Sequence, residues 1–280
     1  MLKKTIVILS IIFASAVMIA SDSTVNKTVI PKKKLLLGSE IIVYSVSYAG
    51  LYSVWYADYP KSSFHFFNDM NQWLQLDKCG HSYSTYWLGR ANNELYKWAG
   101  FSQKQALTGS LINSWLFIST IEFFDGFSAE YGASLQDLTA NTLGASLYGI
   151  QQYFWNEQKI IYKFSYFPSD YARLRPNVLG ETQMQRLIKD YNGQTYWLST
   201  SLKGITGIKS LPSWFNIAIG YGATGMVGAT DNKGILKDDI RRRNLYLSFD
   251  IDLEKIKTRN KALRILLFAF NCIKLPLPSI

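Results

Sequence analysis

The sequence predicts a mainly α-helical fold, a four-helix membrane-associated bundle followed by a small C-terminal β-hairpin. Long apolar stretches with helix signals at their ends follow one another between residues 35 and 157, and consecutive helices joined by short turns are typical of bundles. Near the end of the chain, apolar and polar residues alternate with a period of two, which predicts a strand with one face in water.

The composition indicates a folded chain that contacts lipid. Apolar residues make up 48% of the 280 residues and charged residues only 18%, below the roughly 25% of an ordinary soluble domain. The net charge of +10 suits anionic partners such as phospholipid, lipopolysaccharide or nucleic acid. Two cysteines, Cys79 and Cys272, are too few for a disulfide framework or a CxxC metal site. We expect two buried free thiols, although one bridge between them stays open.

Residues 1–21 have the layout of a secretory signal peptide. Lys3 and Lys4 precede an uncharged stretch from Thr5 to Ala20 that small residues follow, the usual order of an export signal. An uncleaved anchor is the alternative, and both place the remaining chain outside the cytosol. We therefore predict an exported protein of the bacterial cell envelope, in the periplasm or associated with the outer membrane. Nucleic acid is excluded as a partner on this ground, and residues 22–34 form a basic linker.

The helical bundle is predicted over residues 35–157. Its first helix, residues 35–57, has Glu40 as its only charge and is long enough to cross a hydrocarbon layer of about 30 Å, although a buried core helix fits equally well. The second helix begins near Asn68 or Asp77 and stops before Gly100, because glycine commonly follows a helix end.

The third and fourth helices begin with capping signals. Ser102 and Gln105 have the spacing of a capping box, and no charge follows from residue 106 to residue 121. The fourth helix begins at Ser134. Small side chains on one stripe of this helix would let a neighbouring backbone come close. The helix-packing residues are Gly144, Ala145 and Gly149.

Residues 158–280 are predicted to form an aromatic-rich extension with short helices, one of them after a turn at Asn192 and Gly193. The alternation from Leu245 to Leu253 predicts a strand, and the glycine-rich residues 214–228 could pair with it in a hairpin. Such a hairpin is marginal alone and must pack on the helices or on a membrane. The C-terminal basic segment predicts a short amphipathic or interfacial helix.

Three short polar motifs interrupt the apolar helices. One opens the second helix, one closes the third and one opens the fourth. Within each motif the side chains are one turn apart or adjacent. Because the turn between the third and fourth helices is short, their motifs should lie at one end of the bundle, and an antiparallel second helix would add its own. The candidate polar cluster comprises Asp77, Lys78, His81, Glu122, Asp125, Asp137 and Asn141.

Three interpretations of this cluster stay open, because unpaired buried charges cost on the order of several kcal/mol each. In the first, the cluster is structural, with Asp137 capping its own helix and His81 donating to a carboxylate. In the second, His81, Glu122, Asp125 and Asp137 hold a divalent metal that activates a water as nucleophile. In the third, Lys78 and nearby arginines bind a phosphate or lipid headgroup.

The spacing of the motifs is similar to that of a known family. The patterns D-K-x-x-H from Asp77, E-x-x-D from Glu122 and S-x-x-D-x-x-x-N-x-x-G from Ser134 resemble the YfiM-like family of periplasmic lipoproteins, a domain of unknown function. A weaker resemblance is to VanZ-like membrane proteins. The resemblance implies an envelope protein without a known activity. Two departures are the lack of a cysteine after the N-terminal apolar stretch and Asp125, where VanZ-like proteins usually carry glutamine.

We therefore expect a structural or binding role at a membrane, with membrane or anionic envelope lipid as the partner and the polar cluster holding a lipid headgroup. A metal-dependent hydrolase acting on a lipid-linked or glycolipid substrate is the alternative. The sequence identifies no cofactor and no protein partner, and it leaves open whether the chain is an enzyme.

Overall fold

The computed structural model describes residues 32–55 and 60–280. The predicted signal peptide, most of the linker and the last two residues of the first predicted helix lie outside these residues. The described chain divides into two compact units. The first comprises the residues up to Asp69 together with Ser84–Asn156, and the second comprises Met70–Tyr83 and Glu157–Ile280.

The first unit is helical, as the sequence predicts. Its long helices are α1 (Lys32–Trp55), α2 (Leu76–Trp98, which begins in the second unit), α3 (Gln103–Asp125) and α4 (Leu135–Trp155). The predicted capping box at the start of α3 is confirmed. The Ser102 N–H donates to Gln105 Oε1 over 3.1 Å, and the Gln105 N–H donates to Ser102 Oγ over 3.3 Å, so two backbone groups that α3 leaves unbonded find partners.

Apolar contacts join α1, α2 and α3. Leu36 of α1 is buried against Leu95 of α2 and Ala106 of α3, and a second cluster forms around Phe117. Among the described helices, none combines the length and the apolarity needed to cross a membrane.

The second unit contains a four-stranded antiparallel sheet in the order β1-β2-β3-β4, so the predicted two-stranded hairpin was too small. The strands are β1 (Ile160–Tyr166), β2 (Gln194–Ser201), β3 (Phe215–Thr224) and β4 (Arg242–Ile251). The β3–β4 pairing was predicted. The short helix predicted after Asn192 and Gly193 was wrong, because that segment is β2. In β1, three successive residues, 161–163, are buried, so its sequence lacks the alternation that identified β4.

Short helices complete the second unit: α5 (Tyr171–Leu174), α6 (Pro176–Leu179), α7 (Gln183–Lys189), α8 (Leu202–Thr206) and the predicted basic helix α9 (Lys261–Phe270). The C-terminal segment covers both sheet edges. Phe164 of β1 donates its N–H to the carbonyl of Cys272, and Leu247 of β4 donates to that of Ile280. Unpaired edges invite association with other chains, so this segment protects the sheet.

A buried ion pair joins the two outer strands. Lys163 of β1 and Asp250 of β4 are fully buried, with 2.8 Å between Nζ and Oδ2. Lys163 also donates to the carbonyl of Ile251 over 2.6 Å, and the Ser199 hydroxyl donates to Asp250 over 2.6 Å. Removing one member of a buried pair leaves an uncompensated charge.

We expect Lys163→Met to lower the free energy of unfolding by about 3–5 kcal/mol, because Asp250 loses its buried cation. Urea denaturation monitored by circular dichroism measures this loss. The control Lys209→Met changes an exposed lysine and should cost less than about 0.5 kcal/mol. Equal small losses in both variants would contradict the role of the pair.

Glu40 gives the first unit a pH-dependent stability. Burial raises the pKa of Glu40 from 4.5 to about 7, although a hydrogen bond from the Tyr96 hydroxyl, 3.3 Å long, opposes the rise. The folded chain therefore holds a proton that the unfolded chain has lost between these pH values. Stability then falls as pH rises through this window.

We predict that the free energy of unfolding of the wild type falls, relative to Glu40→Gln, as the pH rises from 4.5 to about 7. Urea titrations at intervals of half a pH unit measure the difference. The variant Glu130→Gln, which changes an exposed carboxylate, is the control and should follow the wild-type profile. A wild-type stability that rises through this window relative to Glu40→Gln would contradict the assignment.

Candidate functional site

The predicted site residues lie on α2, α3 and α4. The acidic and amide residues of the last two motifs belong to the first unit, whereas the D-K-x-x-H motif belongs to the second. In the first unit these residues are Glu122 and Asp125 of α3 and Asp137 and Asn141 of α4.

Ser134 connects the acidic residues between α3 and α4. Its N–H donates to Glu122 Oε2 over 3.0 Å, and its hydroxyl donates to Asp69 Oδ1 over 2.7 Å. The same hydroxyl oxygen accepts the N–H of Asp137 over 3.0 Å, which caps α4. Glu122, Asp137 and Asp69 are 2%, 5% and 8% exposed. A single serine therefore contacts three buried acidic residues.

The local sequence explains why these carboxylates are tolerated. Ser134 is an N-cap, so its backbone and hydroxyl are positioned by the start of α4. Asp137 lies in the first turn of that helix, where the helix dipole stabilises a negative charge. Donors and a positive helix end thus offset part of the desolvation cost of this acidic region.

Asn141 connects three helices in the interior of the first unit. Its Oδ1 accepts from the Thr85 hydroxyl of α2 over 3.3 Å, and its Nδ2 donates to Ser119 Oγ of α3 over 3.2 Å. Asp125 is the last residue of α3 and is half-buried, and its carbonyl accepts the N–H of Ser128. Asn141 is thus an interior connector, whereas Asp125 lies at the helix end.

In the second unit, the D-K-x-x-H motif opens α2. Lys78 Nζ lies 2.9 Å from Asp77 Oδ2, and both side chains are largely buried. His81 is half-buried and lies one turn before Thr85 on the same continuous helix. Cys79 and Cys272 form no disulfide with each other, and Cys272 is buried as expected, whereas Cys79 is only half-buried. Burial raises the pKa of Cys79 to about 11, so its thiol is protonated at neutral pH and is a poor nucleophile.

A left-handed turn precedes the motif. Trp73, Leu74 and Gln75 have φ values of 48°, 49° and 65°, which cost energy for residues with a Cβ. Hydrogen bonds hold this turn, because the Tyr221 hydroxyl donates to the Leu74 carbonyl over 2.5 Å and the Trp73 N–H donates to the carbonyl of Ala229 over 2.7 Å. This turn could not be predicted from the sequence, because the segment contains no glycine.

Sequence reasoning also missed two buried charged residues of the first unit. Asp69, the acceptor for Ser134, lies 65 positions before it. Arg90 of α2 is buried with its guanidinium 4.5 Å from the centre of the Trp87 ring. The signal for Arg90 was its place one turn from aromatic residues on the same helix, whereas Asp69 has no local signal.

The helix-packing residues lie along α4. Gly144 is buried, and a Cβ at Gly149 would lie 2.8 Å from Leu111 Cδ1 of α3. The absence of a side chain there lets α3 and α4 approach closely. Ala145 lines a groove between the same two helices.

Comparison with known proteins identifies the segment that carries the motifs. A family model described as "Predicted periplasmic lipoprotein (DUF2279)" matches residues 65–152. No curated protein and no solved structure matches the chain. The family description confirms the predicted location in the cell envelope, in the periplasm. Residues 65–152 therefore match the DUF2279 family of predicted periplasmic lipoproteins, as the resemblance to the YfiM-like family implied.

Proposed function

We propose that the protein binds a membrane of the cell envelope through the outer faces of its first unit. The supporting observation is the reversed distribution of side chains on these helices. Ile41 of α1, Leu143 and Phe154 of α4 are 67%, 63% and 69% exposed, whereas Asn141 and Gln151 of α4 are almost completely buried. Helices of water-soluble domains show the opposite arrangement, and polar residues of membrane-contacting helices face the protein interior.

Lipid is the partner that suits these faces. Large exposed apolar patches mark protein or membrane contacts, and the net charge of +10 favours a surface that carries anionic headgroups.

Helix α9 of the second unit also exposes apolar residues. Leu263, Leu266 and Phe270 are exposed and share one face, with Lys261 and Arg264 on the other. Such a helix is typical of interfacial binding.

The charge of the buried residues affects where a headgroup would bind. Asp69, Glu122 and Asp137 make the interior near Ser134 acidic, which disfavours a phosphate there. We therefore place anionic headgroups at basic surfaces of the protein and not at the carboxylates of the predicted cluster.

We expect Leu143→Glu to weaken binding to phosphatidylglycerol-containing vesicles by about tenfold or more, because burying a leucine contributes roughly 1.5–3 kcal/mol. Vesicle flotation measures the bound fraction. Ala129→Glu adds the same charge at an exposed loop position and should bind like the wild type. Both variants should keep the wild-type melting temperature. Unchanged flotation of Leu143→Glu, or none for the wild type, would reject the proposal.

A second candidate function is the metal-dependent hydrolysis of a lipid-linked or glycolipid substrate. It is supported by the two buried acids that Ser134 contacts, Glu122 and Asp137. Carboxylates of this kind are common metal ligands, and His81 and Asp125 are the further ligands that the sequence predicts. One imidazole with carboxylates suits zinc, manganese or iron. A bound metal would activate water for attack on an ester or phosphoester.

We expect the wild type, after dialysis against zinc or manganese, to retain about one metal equivalent by mass spectrometry, as a single site requires. His81→Ala and Asp137→Asn should each lose most of it, because each removes a ligand. The control His65→Ala changes the other histidine, whose Nε2 lies 2.8 Å from the carbonyl of Tyr131, and should retain the metal. Circular dichroism must show all variants folded. Equal retention in all four proteins would exclude this site.

A further inference from the structure

We infer that the groove between α3 and α4 binds one acyl chain of an anionic membrane phospholipid, an inference that rests on the proposed membrane function. The groove has a volume of about 750 Å³, within the roughly 300–1,000 Å³ of small-molecule sites. Leu111 and Trp115 of α3 line it, with Ala145, Ile150 and Phe154 of α4 opposite. The shape and the apolar lining suit a hydrocarbon chain.

Small residues of α4 line part of the groove, and a hydrogen-bonded tryptophan forms one of its walls. Ala145 and Gly149 are one turn apart on the α4 side of the groove, and Leu111 of α3 packs against Gly149. At one end, the Trp115 indole N–H donates to Thr142 Oγ1 over 2.9 Å. This bond connects α3 and α4 and fixes the ring as a groove wall.

The other end of the groove lies where α3 begins and α4 ends. There the Gln103 side chain donates to Asn156 Oδ1 over 3.1 Å. Lys104 precedes the groove residue Thr108 by one turn of α3, so the two share a face. The ammonium group of Lys104 is therefore placed to meet a headgroup whose chain enters the groove.

Further lysines make this end of the first unit basic. Lys33 Nζ lies 4.5 Å from the centre of the Phe101 ring, and Lys32 Nζ lies 5.1 Å from that of Trp98. Trp98 is the last residue of α2, and Phe101 lies in the segment that joins α2 to α3. Such a charge complements a phosphate and gives no advantage to a neutral headgroup. Charge thus identifies the occupant as an anionic lipid, with its chain along the groove and its phosphate near Lys104.

The direct test is fluorescence quenching by a lysophosphatidylglycerol with a dibrominated chain, used below its critical micelle concentration. Bromine quenches indole fluorescence only at close range, so we expect saturable quenching that is largely lost in Trp115→Phe. The phosphocholine lipid with the same chain should bind about fivefold more weakly, as expected when one lysine meets an anionic headgroup. Lys104→Gln should reduce that difference. Equal affinity for both lipids would overturn the inference that the site prefers an anionic headgroup.

A blocking variant tests the groove itself. Ala145→Phe should weaken binding about tenfold, since excluding only two methylenes has that effect. Thr139→Phe on the same helix changes an exposed residue outside the groove and should bind like the wild type. Thr108→Phe blocks the groove from α3 and replaces Ala145→Phe if that variant does not fold. Unchanged quenching in a folded blocking variant would refute the proposal that the groove binds the acyl chain.

Vesicle flotation separates this inference from the proposed function. Wild-type protein that floats with vesicles but shows no saturable quenching by the monomeric lipid would retain the membrane function and refute the acyl-chain site. Protein that neither floats nor shows quenching would refute both.

Discussion

The need to hydrogen-bond buried carboxylates is the constraint on which the first unit depends. Ser134 donates its backbone N–H to the carboxylate of Glu122 on α3 and its hydroxyl to that of Asp69, while its hydroxyl oxygen accepts the N–H of Asp137 at the start of α4. Because a buried acceptor without a donor is costly, these bonds restrict how α3 can turn into α4. The restricted turn sets the two helices antiparallel and close together, and the groove beside Gly149 follows from that approach.

The buried polar residues and the exposed apolar residues of the first unit lie on opposite faces of the same helices. Asn141 bonds to side chains of α2 and α3 in the interior, so polar side chains lie beside the apolar clusters where these helices meet. Their apolar residues, such as Leu143, then lie outside. An exterior of this kind is stable where lipid covers it, and this links the buried motifs of the DUF2279 segment to the proposed membrane contact.

Local sequence rules identified the features that depend on neighbouring residues. Ser102 with Gln105 and Ser134 with Asp137 marked the starts of α3 and α4, because capping involves residues two or three positions apart. Asp69 could not be found in this way, since only tertiary packing brings it to Ser134. Strand β1 was not predicted for a related reason. A lysine in a strand usually marks the exposed face, but Lys163 is buried in a long-range ion pair with Asp250.

The distribution of charge makes the surface more basic than the formal value of +10 indicates. Among the described residues, six acidic side chains are buried against three basic ones, Arg90, Lys163 and Lys274, so burial removes more negative than positive charge from the exterior. Glu40, whose pKa burial raises to about 7, is only partly ionised at neutral pH. The exposed lysines are therefore less offset than their count suggests. An acidic interior and a basic exterior are the charge distribution that the proposed binding to a membrane with anionic headgroups requires.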